Sequence, residues 1–386
     1  MKRNLKILNL FAIKRDIIHL CTMKYIGILA LLFLFFSCKE QPQSTQTNKD
    51  EGVEYAKWFS IKKRGEYTLL SVIDPATGIP EKKYCLGKSQ PADLPAEEQF
   101  IKVPVQKIIA LSSTHIGMLA KLGAIDKIVG ISNINYVYNE QLKSSYANGH
   151  IRQFDNLGSM NAETAFKTGV NVVVYSGFEG SAPAAEQKLA AMNVLCIPDY
   201  DWKEQHPLGR AEWIRFFGAL LGKEQEADQY FNNIEKEYTN ALQQVGEQKS
   251  HPSLFSGMMY GDIWYMPEGN SFHAKLFSDA GADYGYKNSG GTGSVALSFE
   301  EVLKKFQYAD VWMNVEFSSK KQILEANGNY KYFDAFRNGK MYTTSHAANN
   351  YWENSAVEPH KMLKDIVTIL YGNPEDKLYY YKRVNE

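Results

Sequence analysis

Glu163 stands at the start of a predicted helix with no His or Cys nearby, and Glu300 occupies the same place in the second half of the chain. The helix dipole favours an acid in the first turn, and Asn161 as N-cap would explain Glu163 equally well. Two matched acids could also pair with basic groups of a partner through charge-assisted contacts. The Ser-x-Glu turn favours Glu300 over its neighbour Glu301 for that role. These acids therefore offer either helix capping or recognition of a basic partner.

A second set of candidates consists of polar and aromatic residues in loops after predicted strands. In open parallel sheets, ligands bind beyond the carboxyl ends of the strands. The residues expected to bind a ligand there are Ser113, Thr114, His115, Tyr175, Ser176, Tyr260, Trp264, Thr292, Glu316, His346 and Trp352. Their aromatic rings could stack on a macrocycle or a catecholate, although each could equally pack in the core. These loops hold no Arg or Lys, which favours a neutral or amphipathic ligand, unless Arg152 or Lys203 reaches in from a longer loop.

Direct metal binding and catalysis both find little support in the sequence. His115 could ligate iron or cobalt, but His346 is its only natural partner among these loop residues, and no HxxxH or Cys/His spacing occurs. We therefore expect no metal held by the protein alone and no cofactor. No GxSxG or HExxH motif is present, which argues against a chelatase or hydrolase. The stretch Gly290–Gly293 lacks the features of a phosphate-binding loop and is interpreted as a turn or lid at the cleft mouth.

The elements that position these residues alternate between short apolar strands and amphipathic helices, which predicts parallel βαβ units. Lys275–Asp283 is similar to Met118–Asp126, and Leu297–Met313 repeats the turn, glutamate, helix and strand of Gly158–Val174. This repetition predicts an α/β fold of two similar lobes. The helix Glu224–Val245, about 33 Å long, suits a strut between them. The predicted segments are a signal peptide (1–37), a flexible tether (38–54), a small β extension (55–104), a first lobe (105–222), a linking helix (223–248) and a second lobe (249–386).

The N-terminal segment is typical of an exported protein. The apolar run Tyr25–Ser37 is shorter than a membrane span and suits a signal sequence, which could start at Met1 or Met23. Ser37-Cys38 resembles a bacterial lipobox, which implies that Cys38 becomes the lipidated first residue; an uncleaved membrane anchor is the alternative. The polar stretch that follows is interpreted as the tether. We expect a lipid-anchored protein in the envelope of a Gram-negative-type bacterium, facing the periplasm.

Two further cysteines and the charge balance bear on the body of the protein. An oxidising compartment would permit a disulfide between Cys85 and Cys196, but the apolar strand around Cys196 favours a buried thiol. Without its basic first 37 residues the chain is mildly acidic. That balance argues against nucleic acid as a partner.

Two stretches, Lys107–Ser132 and Gly158–Gly177, resemble the first lobe of the helical-backbone periplasmic binding proteins, and Tyr265–Tyr284 and Asn350–Ile366 fit the second. Such proteins serve importers of iron-siderophores, haem and vitamin B12. The resemblance implies two α/β lobes joined by one long helix, with the ligand in the cleft between them. It also implies that each lobe presents an acid to arginines of the membrane permease.

Carried onto this chain, those docking acids are Glu163 and Glu300. The resemblance further implies a monomeric, non-enzymatic binding lipoprotein whose partners are an ABC permease dimer and its ATPase. Its ligand would be a chelated iron or cobalt complex. The alternative is a lipoprotein that captures haem or a siderophore at the surface and passes it to another protein.

Overall fold

The computed structural model describes residues 52–177, 184–344, 350–373 and 376–386, which form two α/β lobes preceded by a small β-sheet. The predicted signal peptide, Cys38 and most of the predicted tether lie outside these residues. Among the residues that are described, no helix combines the length and apolar character needed to cross a membrane.

The N-terminal extension is a four-stranded sheet with the order β1-β2-β3-β4, in which only β3 and β4 run parallel. Its strands are β1 (Phe59–Arg64), β2 (Tyr67–Ile73), β3 (Pro80–Gly87) and β4 (Glu98–Lys102). Phe59 packs against Trp213 of the first lobe, with ring centroids 4.6 Å apart. Tyr84 donates its hydroxyl to the Cys196 carbonyl at 3.2 Å. Cys85 and Cys196 are both buried free thiols and form no disulfide.

Two buried carboxylates hold the segment that leads into this sheet. Glu212 accepts hydrogen bonds from the backbone N–H groups of residues 54, 55 and 56 at 2.7–2.8 Å. Glu204 accepts from the backbone N–H groups of Lys57 and Trp58 and from the Trp213 indole at 3.0–3.2 Å. Buried backbone donors need partners, and these two acids supply them. These hydrogen bonds therefore fix residues 54–58 against the first lobe.

Glu204 should make the stability of the protein depend on pH. Burial raises the pKa of its carboxyl group from 4.5 to about 7, although the hydrogen bonds from Lys57, Trp213 and Trp58 work against the rise. Between pH 4.5 and about 7, the native state therefore keeps a proton on Glu204 that the unfolded chain releases. We therefore expect Glu204 to cost about 3 kcal/mol of unfolding free energy as the pH rises from about 4.5 to above about 7.

The variant Glu204→Gln tests this expectation, because the amide resembles the neutral acid at every pH. Urea unfolding of both proteins between pH 4.5 and 8 should show the variant gaining stability relative to wild type as the pH rises. Buried His115, whose pKa is lowered to about 4, has the opposite effect on stability. Below pH 6.5, its usual pKa, the unfolded chain binds a proton that the native state does not, so stability rises with pH. That contribution is common to both proteins and cancels in the difference. A difference that stays constant with pH would contradict the role given to Glu204.

The first lobe is a five-stranded parallel sheet with the order β7-β6-β5-β8-β9, flanked by helices. Strands β5 and β8 are apolar throughout their central positions because helices cover both faces. The strands are β5 (Ile108–Ala110), β6 (Ile128–Ile131), β7 (Arg152–Gln153), β8 (Val172–Ser176) and β9 (Leu195–Asp199), and the helices are α1 (Ser113–Lys121), α2 (Glu140–Ala147), α3 (Ala162–Lys167), α4 (Ala184–Ala190) and α5 (Pro207–Leu221).

The long helix α6 (Glu224–Gly246) follows α5 after a turn at Gly222, whose backbone is left-handed. Its buried residues recur at helical spacing, from Ala227 to Ala241. This stripe packs on α5 and on the C-terminal helix α12 (Pro359–Tyr371). The helix thus lies between the two lobes.

The second lobe holds a three-stranded parallel sheet, β13-β10-β15, and a three-stranded antiparallel sheet, β11-β12-β14. Its parallel sheet is smaller than that of the first lobe, so the repetition in the sequence is only partial. The strands are β10 (Ser253–Ser256), β11 (Met259–Tyr260), β12 (Ile263–Pro267), β13 (Asp283–Tyr284), β14 (Ser294–Leu297), β15 (Val311–Met313), β16 (Tyr342–Thr344) and β17 (Tyr381–Arg383), and the remaining helices are α7 (Phe272–Asp279), α8 (Phe299–Phe306), α9 (Lys320–Ala326), α10 (Asp334–Arg337) and α11 (Tyr351–Asn354).

The short helix α11 lies in the second half of the sequence but packs on α1 of the first lobe. Gly117 lies directly against the backbone of Glu353, which is 1% exposed. The Glu353 carboxylate accepts from the backbone N–H groups of Tyr138 and Asn139 at 2.5 and 3.0 Å. Nearby, Lys121 of α1 donates to Glu358 at 2.9 Å. The lobes are therefore joined by this contact as well as by α6.

Candidate functional site

The two predicted docking acids occupy the same position on matching helices. Glu163 is the second residue of α3, which Asn161 caps by accepting the Thr164 N–H at 2.9 Å. Glu300 is the second residue of α8, which Ser298 caps. Both side chains are exposed, and neither forms an ion pair within the part of the chain that the structure describes. Each lobe therefore presents an exposed carboxylate at a helix start.

Glu301 differs from Glu300 because its carboxylate completes a capping box. It accepts from the Ser298 backbone N–H and hydroxyl at 2.8 and 2.9 Å, while Ser298 accepts from the Glu301 N–H. The hydrogen bonds from Ser298 lower the pKa of Glu301. Capping thus engages Glu301 and leaves Glu300 free for an external partner.

The predicted ligand-binding residues divide by exposure. Those that keep accessible surface are Ser113, Ser176, Tyr260, Thr292, Glu316 and Trp352. Tyr260 is the most exposed of the aromatic ones, at 76%. It lies opposite Ile263 in the β11–β12 pair, and Tyr265 follows on the same face of β12. These three side chains give the antiparallel sheet an exposed apolar face.

Trp264 lies on the opposite face of that sheet, and the expectation that it stacks on a ligand is corrected. Its ring is fully buried against Phe255 and Trp312. Its indole N–H donates to the carbonyl of Ser256, the last residue of β10, at 2.8 Å. Alternation along β12 places Trp264 inward and its neighbours Ile263 and Tyr265 outward.

Thr114, His115 and Tyr175 are also buried and offer no open surface to a ligand in this structure. Thr114 shares a hydrogen bond with Ser112, the N-cap of α1. The Tyr175 hydroxyl reaches Glu186 at 3.4 Å. His346, the last of the predicted ligand-binding residues, lies outside the described residues.

The Gly290–Gly293 stretch is a turn held by hydrogen bonds, which is the first of its two interpretations, a turn or a lid. Asn270 donates from its backbone N–H to the Gly291 carbonyl and from its side chain to the Gly290 carbonyl. Glu268 and Gly293 exchange two further hydrogen bonds, at 3.0 and 3.2 Å. Thr292 nonetheless keeps its side chain at the surface.

His115 is the first of four polar residues that lie in a row near the end of β9, followed by Asp199, Asp201 and Arg210. Its Nε2 lies 3.6 Å from Asp199 Oδ2, and both side chains are fully enclosed. Neither ring nitrogen of His115 has a hydrogen-bond partner among the described residues. Burial lowers the pKa of His115 to about 4, and burial together with the charge of Asp201 raises the pKa of Asp199. No cluster of three or more metal-ligating side chains occurs in the described ranges.

Arg210 is the last residue of this polar row and contacts the second lobe. Its Nε donates to Asp201 Oδ2 at 3.1 Å, and its guanidinium carbon lies 5.2 Å from the centre of the Phe272 ring on α7. Burial alone would raise the pKa of Asp201, but Arg210 and Asp199 lower it. The carboxylate therefore stays charged beside the arginine.

Sequence reasoning missed Asp199, Asp201 and Arg210, although a usable signal exists. Asp199 ends the strand β9 and Asp201 follows two residues later, at the carboxyl end that the same rule on parallel sheets points to. Arg210 carries no such signal, because it lies in the first turns of α5 among apolar residues. Arg152, one of the two basic residues named as able to reach in from a longer loop, is exposed on the edge strand β7.

Comparison with known proteins gives a family match and several similar folds. The model of the periplasmic binding protein family matches residues 108–348, more than half of the chain. An uncharacterised lipoprotein of Methanocaldococcus jannaschii is 28% identical over 324 residues, which cover 80% of this chain and 76% of its own length.

Two solved structures from Vibrio cholerae share the fold at low identity. The periplasmic haem-binding protein HutB superposes with a TM-score of 0.55 at 16% identity, covering 69% of this chain and 99% of its own. The vitamin B12-binding protein BtuF gives 0.52 at 14%, covering 69% and 97%. At these identities the likeness shows the fold alone. The extent of the family match and the two lobes on one long helix show that this chain belongs to the periplasmic binding protein family.

Proposed function

We propose that this solute-binding protein of the ABC-importer type carries a metal chelate, such as an iron-siderophore, haem or cobalamin, to a membrane permease. The observation that carries the proposal is the matched pair of exposed glutamates, Glu163 and Glu300, one on each lobe. Two carboxylates at equivalent places on similar lobes suit two basic groups on a two-fold symmetric partner. We also propose that Cys38 carries the lipid that keeps the protein at the membrane of the cell envelope.

The surface of the second lobe supports an amphipathic ligand. Tyr260, Ile263 and Tyr265 form an exposed apolar face, and Trp352 is 42% exposed. Exposed aromatic groups of this kind bind flat or macrocyclic ligands by burying area and stacking. The alternative function, capture of haem or a siderophore for another protein, would use the same surfaces but no permease.

Thermal unfolding of the purified full-length protein in detergent tests the ligand proposal. Haem, cobalamin and several ferric siderophores are each added well above an expected micromolar Kd. Binding at 100 times Kd stabilises the native state by about 2.7 kcal/mol, which should raise the Tm by several degrees. Free iron and cobalt salts serve as controls and should give no such rise. No shift with any chelate would refute the proposed function.

A further inference from the structure

Arg210 is a cation placed between the lobes, and most of its donors have no acceptor among the residues that the structure describes. Its side chain is 21% exposed, while Asp201 beside it is 2% exposed. A guanidinium has five N–H donors, and Arg210 uses only Nε–H in a hydrogen bond to the described residues. The two terminal nitrogens are therefore available to another acceptor.

Phe272, His273 and Tyr351 are the second-lobe groups that the structure documents beside Arg210, and all three are uncharged. Phe272 lies under the guanidinium, and the Nε2 atom of the next residue, His273, lies 3.5 Å from the Tyr351 hydroxyl. Burial and then the positive charge of Arg210 lower the pKa of His273 to about 4, so its ring stays neutral. Arg210 thus faces aromatic, uncharged side chains on that lobe.

Residues of the first lobe hold Arg210 in place. Asp201 accepts its Nε–H, and Asp201 is fixed in turn because its backbone N–H donates to Asp199 Oδ1 at 2.7 Å. A guanidinium that is oriented in advance loses less entropy when it forms further hydrogen bonds. The arrangement is that of a prepared site for an oxygen anion.

We propose that Arg210 recognises an anionic oxygen group, such as a carboxylate or a catecholate oxygen, on the chelate bound between the lobes. This inference rests on the proposed function and deepens it by assigning the ligand to the anionic class. It reverses the expectation of a neutral ligand, which depended on the absence of Arg and Lys from the cleft loops.

Matched ligands and variants test the inference. Binding is measured by tryptophan fluorescence with two ligand pairs: haem against its dimethyl ester, and an anionic ferric tris-catecholate against a neutral ferric tris-hydroxamate. Wild type should bind the anionic member of at least one pair more tightly. Arg210→Met should weaken that binding on the order of 10- to 100-fold and change binding of the neutral member less than about threefold. Arg210→Lys should recover part of the loss.

Two controls keep the result interpretable. Arg215→Met removes an arginine from the same helix that also pairs with carboxylates and lies over an aromatic ring, Phe231, and it should leave affinity unchanged. Arg210→Met leaves Asp201 without its partner, so the double variant with Asp201→Asn tests the loss in a protein without an unpaired buried charge.

The outcomes separate the inference from the proposed function. Equal loss of anionic and neutral ligands, or no loss in either Arg210 variant, overturns the role of Arg210. Tight binding by wild type to neutral chelates only overturns the inference while the proposed function stands. Failure to bind any chelate overturns both.

Discussion

Replacing Gly117 by alanine should lower the free energy of unfolding by about 3 kcal/mol or more. A Cβ atom there would lie 1.7 Å from the carbonyl oxygen of Glu353 and 2.5 Å from its carbonyl carbon. Both are backbone atoms, so no side-chain rotation relieves the overlap. Helix α1 would have to move away from α11, and the Glu353 carboxylate, which accepts from the backbone of Tyr138 and Asn139 in the same lobe as α1, would resist that movement.

Urea unfolding of the two proteins measures this loss directly. The matched control is Gly246→Ala, at the last position of α6, where an added Cβ has no atom within 4 Å. Alanine at such a position should be neutral or stabilise the helix by up to about 1 kcal/mol. If Gly117→Ala cost less than about 1 kcal/mol, the close packing of α1 on α11 would not hold in solution.

Removing both exposed acids, Glu163→Ala with Glu300→Ala, should abolish uptake while leaving ligand affinity unchanged. Each acid would contribute a charge-assisted contact worth about 1.5–3 kcal/mol, so loss of the pair weakens docking by two orders of magnitude or more. Neither side chain supports the fold through an ion pair among the described residues, so stability should change little. Uptake of a labelled chelate by cells and binding to the pure protein are measured side by side.

Glu301→Ala is the matched control for the second lobe. Loss of its capping box should destabilise the protein slightly but leave uptake intact, since Ser298 already engages that carboxylate. Single variants of Glu163 and Glu300 should show intermediate losses. Normal uptake by the double variant would refute the docking role and leave helix stabilisation as the purpose of both acids.

The elements with strong periodicity could be predicted from the sequence. The linking helix was expected at Glu224–Val245 and extends over Glu224–Gly246, because its apolar stripe repeats without interruption. The helices that carry Glu163 and Glu300 were likewise predicted, since a capping residue and an apolar strand bracket each one. Local patterns of this kind are set by residues that lie close in the sequence.

The individual ligand-binding residues were harder to predict, for two physical reasons. A residue after a strand can point into the core or into the cleft, and His115 and Trp264 point into the core. Arg210 approaches Phe272 only because two helices 62 positions apart in sequence meet between the lobes. No local pattern encodes such a meeting, so the charge at the site could not be read from the loops alone.

The contact between α1 and α11 also bears on how the chain folds. The Lys121–Glu358 hydrogen bond joins residues 237 positions apart, and Asn139 and Glu353 are 214 apart. Contacts of such long sequence separation carry a large loop-closure cost and slow folding. The face of α1 that holds Gly117 stays uncovered until the chain has been synthesised past residue 354. The first lobe therefore cannot complete its packing until α11 has been synthesised and has reached α1.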